Sequence, residues 1–283
     1  MNGQDSKLLD VTGLSVYLSN NHKKNLLHSI NFSMNRGEIL CLVGESGSGK
    51  TLTALSILNL LPPNTFITHG TIQFEGRNIL QSKSSVLENI RGSEISIIFQ
   101  NALAALNPVF KCGYQISDVV KTHLKLSNKD ARERVLDLFR RVSLNEPERV
   151  YHSYPHQLSG GMAQRVMIAM ALSCNPKLII ADEPTSSLDV STQNILLAML
   201  KKLQEDNNFS LLLITHDIRI AILMASKIAV MLNGNIVEQN DAKLILKYPS
   251  HVYTKRLLEA YCQKAKSPLI CEELAGEMQK MNQ

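Results

Sequence analysis

The apolar run Ile39-Leu40-Cys41-Leu42-Val43 leads directly into Gly44-Glu45-Ser46-Gly47-Ser48-Gly49-Lys50-Thr51, and helical spacing then continues from Thr51 to Leu61 until Pro62-Pro63 ends it. This reads as a buried-type strand, a glycine-rich loop and a helix, the opening of a chain in which strands and helices alternate as in an α/β fold. The glycines let the loop curl so that successive N–H groups point inward, where the positive end of the helix adds to them. The pattern G-x-x-x-x-G-K-[ST] is therefore a candidate phosphate cradle. Lys50 is placed to reach the β- and γ-phosphates of a nucleotide, and the Thr51 hydroxyl to ligate Mg²⁺. Gly44 to Thr51 together with Leu52 form the candidate nucleotide-binding set.

The rest of the chain alternates strands and helices. Leu8 to Leu18 and Leu26 to Met34 read as two antiparallel strands around a polar turn from Ser19 to Lys24. Buried-strand candidates follow at Glu94 to Phe99, Leu178 to Ala181, Leu211 to Thr215 and Ile228 to Met231, with helices at Gln193 to Glu205 and Ile218 to Ala225. From about Gly113 to Ser159 the apolar positions recur at three and four, as in Val135, Leu138, Phe139 and Val142, so this block reads as a helical insertion. A helical tail is expected from His251 to about Tyr261, and polar sequence after it.

The strand at Leu178 ends in Asp182-Glu183, two acids that a sheet interior tolerates only where they face a site at the strand's carboxyl end. Asp182 suits a second Mg²⁺ contact, and Glu183 is the candidate to orient the attacking water and accept its proton. Composition sets outer limits on this reading. Hydrophobic residues are 44% and charged residues 19% of 283, the usage of a folded globular chain. A net charge of +5 with dispersed Lys and Arg gives no ground for nucleic acid as a partner. Five scattered cysteines, Cys41, Cys112, Cys174, Cys262 and Cys271, contain no Cys-x-x-Cys pair and fit a reducing cytoplasm. The start of the chain is not that of a secretory signal, and its apolar stretches fall short of the roughly 20 residues of a spanning helix.

Leu158-Ser159-Gly160-Gly161-Met162-Ala163-Gln164-Arg165 closely resembles the signature of the ABC ATPase family. Other landmarks of that family stand in order. Gln100 matches the Q-loop glutamine, Ser187-Leu188-Asp189 the D-loop, and His216 the switch histidine that contacts the γ-phosphate. Tyr17, beside Leu18 where relatives often carry the aromatic, is the candidate to stack on adenine. The resemblance implies an α/β P-loop NTPase with a RecA-like core, an N-terminal antiparallel β-subdomain and an inserted α-helical subdomain. Its boundaries would be 1–248 for the ATPase domain, about 109–167 for the helical insertion and 249–283 for a short helical extension. It also implies catalytic roles for Glu183, His216 and Gln100, metal contacts from Thr51, Gln100 and Asp182, and ATP with Mg²⁺ as ligands. Ser159, Gly160, Gly161 and Asp189 would serve a nucleotide held by a second subunit, since in this family the signature of one subunit closes over ATP bound by the other.

Phe99-Gln100-Asn101-Ala102-Leu103-Ala104-Ala105-Leu106-Asn107-Pro108 and His251-Val252-Tyr253-Thr254-Lys255-Arg256-Leu257-Leu258 resemble stretches of the ATPases serving dipeptide, oligopeptide and nickel importers, with Ala102 and Val252 where relatives usually carry proline. That subgroup implies a second ATPase subunit in a heterodimer, with a homodimer as the alternative. It further implies two permeases, an extracytoplasmic binding protein acting indirectly, and a peripheral place on the cytoplasmic face of the membrane. No iron–sulfur cluster is expected. A soluble non-transport ABC ATPase or a regulatory nucleotide-binding module is the competing class. A kinase or GTPase accounts for Lys50 and Asp182 but not for the segment from Leu158 to Arg165.

Overall fold

A computed structural model describes residues 7–19, 24–186 and 188–265. The residues expected at the tip of the first turn, 20–23, the D-loop Ser187, and the tail with Cys271 lie outside the described residues. In chain order the elements are β1 (Lys7–Leu18), β2 (Lys24–Asn35), β3 (Ile39–Val43), α1 (Lys50–Ile57), β4 (Thr65–Phe74), β5 (Arg77–Asn78), α2 (Ser84–Ile90), β6 (Ile95–Ile98), α3 (Ala102–Ala105), α4 (Cys112–Leu124), α5 (Asn128–Arg141) and α6 (Pro147–His152). They continue with α7 (Gly160–Leu172), β7 (Leu178–Asp182), α8 (Val190–Asn207), β8 (Ser210–Thr215), α9 (Ile218–Met224), β9 (Lys227–Leu232), β10 (Asn235–Asp241), α10 (Ala242–Lys247) and α11 (Val252–Ala265). By its internal packing the chain divides into two compact units, Met1–Leu80 with Leu212–Gln283, and Gln81–Leu211.

The first unit holds an antiparallel sheet of order β2-β1-β4-β5. Its strands alternate as half-buried strands do: Leu14, Val16, Ile30, Phe32, Ile72 and Phe74 face inward. The same unit contains the run β10-β9-β3-β8, in which β3 and β9 are parallel and β9 and β10 antiparallel. All five residues of β3 are buried, as a strand covered on both faces requires. The β9–β10 connection is Asn233-Gly234, with φ of +47° and +75°. Both central residues are left-handed, the hairpin geometry for which Asn-Gly is the favoured pair.

The second unit pairs β6 with β7 in parallel, and β7 is buried throughout. The stretch read as a helical insertion forms α4, α5 and α6. In α5 the Ser127 hydroxyl accepts from the Asp130 N–H at 3.1 Å as an N-cap, and Arg140 and Arg141 sit in the last turn, where cations complement the helix dipole. Its stripe of Ala131, Val135, Leu138 and Phe139 is buried, each large side chain contributing roughly 1.5–3 kcal/mol by leaving water.

Three strands escape the periodicity, β4, the two-residue β5 and β10. In β4 the inward alternation breaks at Gly70, whose φ is +103° and whose added Cβ would come within 2.7 Å of the Gly13 carbonyl and the Leu14 Cα. Gly13 on β1 is itself left-handed, and the β1–β4 register shifts between Thr12 and Ser15. Facing glycines let the two strands bulge together, which erases the period of two. The helix expected to run to Leu61 ends at Ile57, four residues sooner, short of the proline pair.

Candidate functional site

In the first unit the loop after β3 is shaped from three sides. Gly44 sits so close to β9 that a Cβ would lie 2.1 Å from the Met231 carbonyl oxygen. Gly49, the N-cap of α1, has φ of +104°, and its Cβ would meet Leu27 of β2 at 2.5 Å. The Gly234 N–H of the β9–β10 turn donates to the Ser48 carbonyl at 3.0 Å, and the Gly234 carbonyl accepts from the His28 N–H at 2.8 Å. Neighbouring strands thus dictate glycine at the loop's two ends, and the Asn-Gly turn braces its middle.

Lys50 is 5% exposed and anchors the curl from within. Its ammonium donates to the Gly44 and Glu45 carbonyls, each at 2.8 Å, and more weakly to the Ser48 hydroxyl at 3.4 Å. Glu45, Ser46 and Gly47 form the exposed crest, and Thr51 is exposed on the first turn of α1. Leu52, one step on, is partly buried, and its carbonyl accepts from the Ser56 hydroxyl at 2.7 Å. Cys41 is fully buried, and burial pushes its thiol pKa far up against the opposing charge of Lys50, so it packs as a small apolar side chain.

His216 follows β8 and is exposed. Beside it Asp217 is gripped by the Arg219 guanidinium, with Nε at 2.9 and 2.8 Å from the two carboxylate oxygens. Burial raises the Asp217 pKa, but the Arg219 hydrogen bonds and charge, with a smaller contribution from His216, bring it below its ordinary value. Tyr17 is half-buried near the end of β1, with Asn25 of β2 and Phe66 of β4 as its cross-strand partners. Phe66 is 55% exposed, so this end of the sheet presents two aromatics, of which sequence reasoning named one.

In the second unit Asp182 closes β7 and is 6% exposed. Glu183 follows with φ of +44°, a left-handed conformation that costs a non-glycine residue roughly 1–3 kcal/mol and that clusters at functional sites. Gln100, exposed beyond β6, donates from Nε2 to a Glu183 carboxylate oxygen at 3.1 Å. Two residues 83 positions apart in sequence are thus brought together at the ends of paired strands.

At the start of α7 the Ser159 hydroxyl accepts from the Met162 N–H at 3.3 Å as N-cap. The two glycines behind it are not imposed by their own chain: a Cβ on Gly160 would meet nothing within 4 Å, and one on Gly161 only ordinary contact with Thr192 at 3.5 Å. Glycine in a helix costs up to about 1 kcal/mol relative to alanine, so this N-terminus carries a cost with no internal reason. Asp189 caps α8, its carboxylate accepting from the Ser191 hydroxyl at 2.5 Å, the Thr192 N–H at 3.0 Å and the Thr192 hydroxyl at 2.7 Å. These bonds, Ser191's first, hold its pKa far below the carboxylate range.

Within the second unit the Asp182 carboxylate and the Gln100 amide stand at the ends of the paired strands β7 and β6. Among the described residues no group of three or more His, Cys, Asp or Glu could hold a metal alone, and no helix is long and apolar enough to cross a membrane. Residues missed by sequence reasoning are Gly234, signalled by its Asn-Gly pair, and Tyr253, whose hydroxyl touches the loop at Glu45.

Comparison with known proteins shows what the chain is similar to. A family model described as "ABC transporter" matches residues 27–186. The chain is 40% identical over 270 residues to the dipeptide transport ATP-binding protein DppD of Haemophilus influenzae, covering 95% of this chain and 82% of that one. It is 41% identical over 255 residues to the oligopeptide transport ATP-binding protein OppD of Bacillus subtilis, covering 89% and 71%. Among solved structures, a dimeric post-hydrolysis state of the ATP-binding cassette MJ0796 bound to ADP and Pi superposes with a TM-score of 0.75 at 27% identity, covering 83% of this chain and 99% of the other.

Proposed function

The chain belongs to the ABC transporter family, and on that premise we propose that it is the ATP-hydrolysing subunit of a peptide importer, working as half of a nucleotide-sandwich dimer. The α/β ABC ATPase fold, ATP binding and ATPase activity follow from the family and from the cassettes it superposes on. The cargo reading is carried by the 40% identity across 95% of the chain with a dipeptide transport ATP-binding protein. Neither relative described above is named for nickel, and peptide is the cargo proposed.

The residues divide the work as their positions allow. The loop from Gly44 to Gly49 wraps the phosphates, and Lys50, held against the Gly44 and Glu45 carbonyls, sets its positive charge at the centre of that curl. Glu183 orients the attacking water and takes its proton, with Gln100 fixing the carboxylate's direction. His216 contacts the γ-phosphate from the end of β8, and Tyr17 stacks on the adenine. Thr51, Asp182 and Gln100 are the residues that would hold Mg²⁺. When bound, that ion neutralises charge on the phosphoryl oxygens.

The N-terminus of α7, capped by Ser159 and lined by Gly160 and Gly161, suits a nucleotide brought by a second subunit, because open glycines leave room for an anion at the helix's positive end. Asp189, the N-cap of α8, takes the D-loop role at the same interface. A heterodimer with a second ATPase subunit, two permeases and an extracytoplasmic binding protein completes the assembly, with this chain peripheral on the cytoplasmic face. We assign the ATPase domain to 1–248, the helical subdomain to about 109–167 and the extension to 249–283.

The test is ATP hydrolysis by the chain assembled with its permeases and second ATPase in vesicles, with peptide-loaded or nickel-loaded binding protein. Stimulation by peptide, abolished by Glu183→Gln with ATP binding retained, is the expected result. Stimulation by nickel alone would sink the cargo assignment, and unimpaired turnover by Glu183→Gln the role of Glu183.

A further inference from the structure

The phosphate loop has a neighbour that nucleotide chemistry does not require. Tyr253, on the first turn of α11, accepts at its hydroxyl a hydrogen bond from the Glu45 N–H at 2.9 Å. Glu45 is the second residue of the loop, and its carbonyl is already engaged by the Lys50 ammonium at 2.8 Å and the Ser48 N–H at 3.2 Å. Both backbone groups of Glu45 are therefore fixed, one from inside the loop and the other by a helix 208 positions away in sequence.

That helix is itself tied down at its start. The Glu238 carboxylate on β10 accepts from the Ser250 N–H at 2.7 Å, the Ser250 hydroxyl at 2.9 Å and the His251 N–H at 3.0 Å. The Tyr253 N–H then donates to His251 Nδ1 at 3.1 Å, and Leu258 buries the next turn at 2% exposure. A continuous series of polar contacts runs from β10 through residues 250–253 to the phosphate loop, all within the first unit.

Packing alone does not account for the hydroxyl, since a phenylalanine would fill the same half-buried place. The oxygen meets a backbone N–H of the loop that reads as the phosphate cradle. Burial first, and then the nearby Glu45 carboxylate, raise the phenol's pKa above its ordinary value against the opposing Glu45 N–H, so the group stays neutral. A neutral acceptor orients the loop without placing a negative charge beside the phosphates.

We propose that Tyr253 is a positioning residue for the phosphate loop, coupling the C-terminal helix α11 to ATP occupancy through the Glu45 N–H. This rests on reading the loop as the ATP site. Coupling between the two is reciprocal: if α11 sets the loop for ATP, bound ATP must in turn hold α11.

The experiment compares the full chain with its Tyr253→Phe, Lys50→Ala and Val252→Ala variants. Tyr253→Phe should raise the Kd and KM for ATP about three- to tenfold, the loss of one hydrogen bond, with kcat in the assembled transporter within about twofold of wild type. In wild type, amide exchange at residues 252–258 should slow when ATP binds, and in Tyr253→Phe it should not. Val252, exposed on the same turn, should change neither when truncated. Wild-type ATP affinity in Tyr253→Phe overturns the proposal, as does an α11 whose exchange ignores ATP, or an equal loss of kcat and thermal stability in Tyr253→Phe. ATP binding that is lost in Lys50→Ala yet untouched in Tyr253→Phe overturns this proposal alone, whereas a wild-type chain that binds no ATP overturns the site reading as well.

Discussion

Gln100 Nε2 donates to a Glu183 carboxylate oxygen at 3.1 Å, and this single contact ties the loop after β6 to the acid after β7. Glu183 holds a left-handed backbone at φ +44°, so its side chain starts from an imposed direction, and the Gln100 amide fixes where that direction ends. A general base is effective only when held within hydrogen-bond reach of the proton it takes. Gln100→Ala should therefore lower kcat by at least about tenfold while leaving the affinity of the isolated chain for ATP within about twofold. Phosphate release at saturating ATP, set beside equilibrium binding, measures both. An unchanged kcat would show that the amide does not orient the acid.

Gly160 makes the opposite kind of prediction, because nothing in its own chain meets a Cβ there within 4 Å. A larger helix-forming side chain should suit the isolated chain, by up to about 1 kcal/mol relative to glycine. It should not suit a second subunit's phosphates approaching the end of α7. Gly160→Leu in a Glu183→Gln background is expected to keep or raise Tm while abolishing the ATP-dependent dimer by light scattering. A dimer of undiminished stability would remove α7 from the interface.

How far such residues could be found in the sequence depended on what their signal was made of. The strand, loop and helix around Gly44 were legible because an apolar run, a fixed spacing and a helical period agree over residues 39–57. The acids at the end of β7, Asp182 and Glu183, were legible as a pair because charge at the end of a buried strand has few explanations. β4 was not, since the bulge shared by Gly13 and Gly70 disrupts alternation and leaves Phe66 exposed where a core residue would have marked the strand. β10 could have been found from Asn233-Gly234, a hairpin signal independent of hydrophobicity. The contact of Tyr253 with Glu45 had no local signal, because it depends on where the chain returns after 208 residues.

Lys50 stabilises the loop before any nucleotide arrives, through its bonds to the Gly44 and Glu45 carbonyls at 2.8 Å each. Hydrogen bonds to a charged group contribute roughly 1.5–3 kcal/mol, so Lys50→Ala should weaken ATP binding by at least about tenfold through loss of both the curl and the phosphate contact. Arginine should not restore it, because a planar guanidinium does not fit between two carbonyls arranged around an ammonium that is 5% exposed. Isothermal titration of the three proteins with ATP decides the matter, and full affinity in Lys50→Arg would mean that charge alone is sufficient.

Glu238 gives the site's C-terminal support a pH dependence whose sign is fixed. Burial raises its pKa, but the Ser250 N–H and hydroxyl and the His251 N–H bind the ionised form and bring the net value below the ordinary carboxylate range. A carboxyl whose folded pKa is depressed stabilises the fold above its unfolded pKa, and that contribution is lost as pH falls through the folded one. Glu238→Gln should therefore lower Tm and speed amide exchange at residues 250–258 at pH 7, where wild type carries the full contribution. The difference should narrow as pH drops below the ordinary glutamate value and disappear once wild type is protonated. Because those contacts also hold Tyr253 against Glu45, the ATP affinity of wild type should fall toward that of Glu238→Gln over the same interval. A difference between the two proteins that stays constant from pH 7 into the acid range would show that the charge of Glu238 is not what anchors α11.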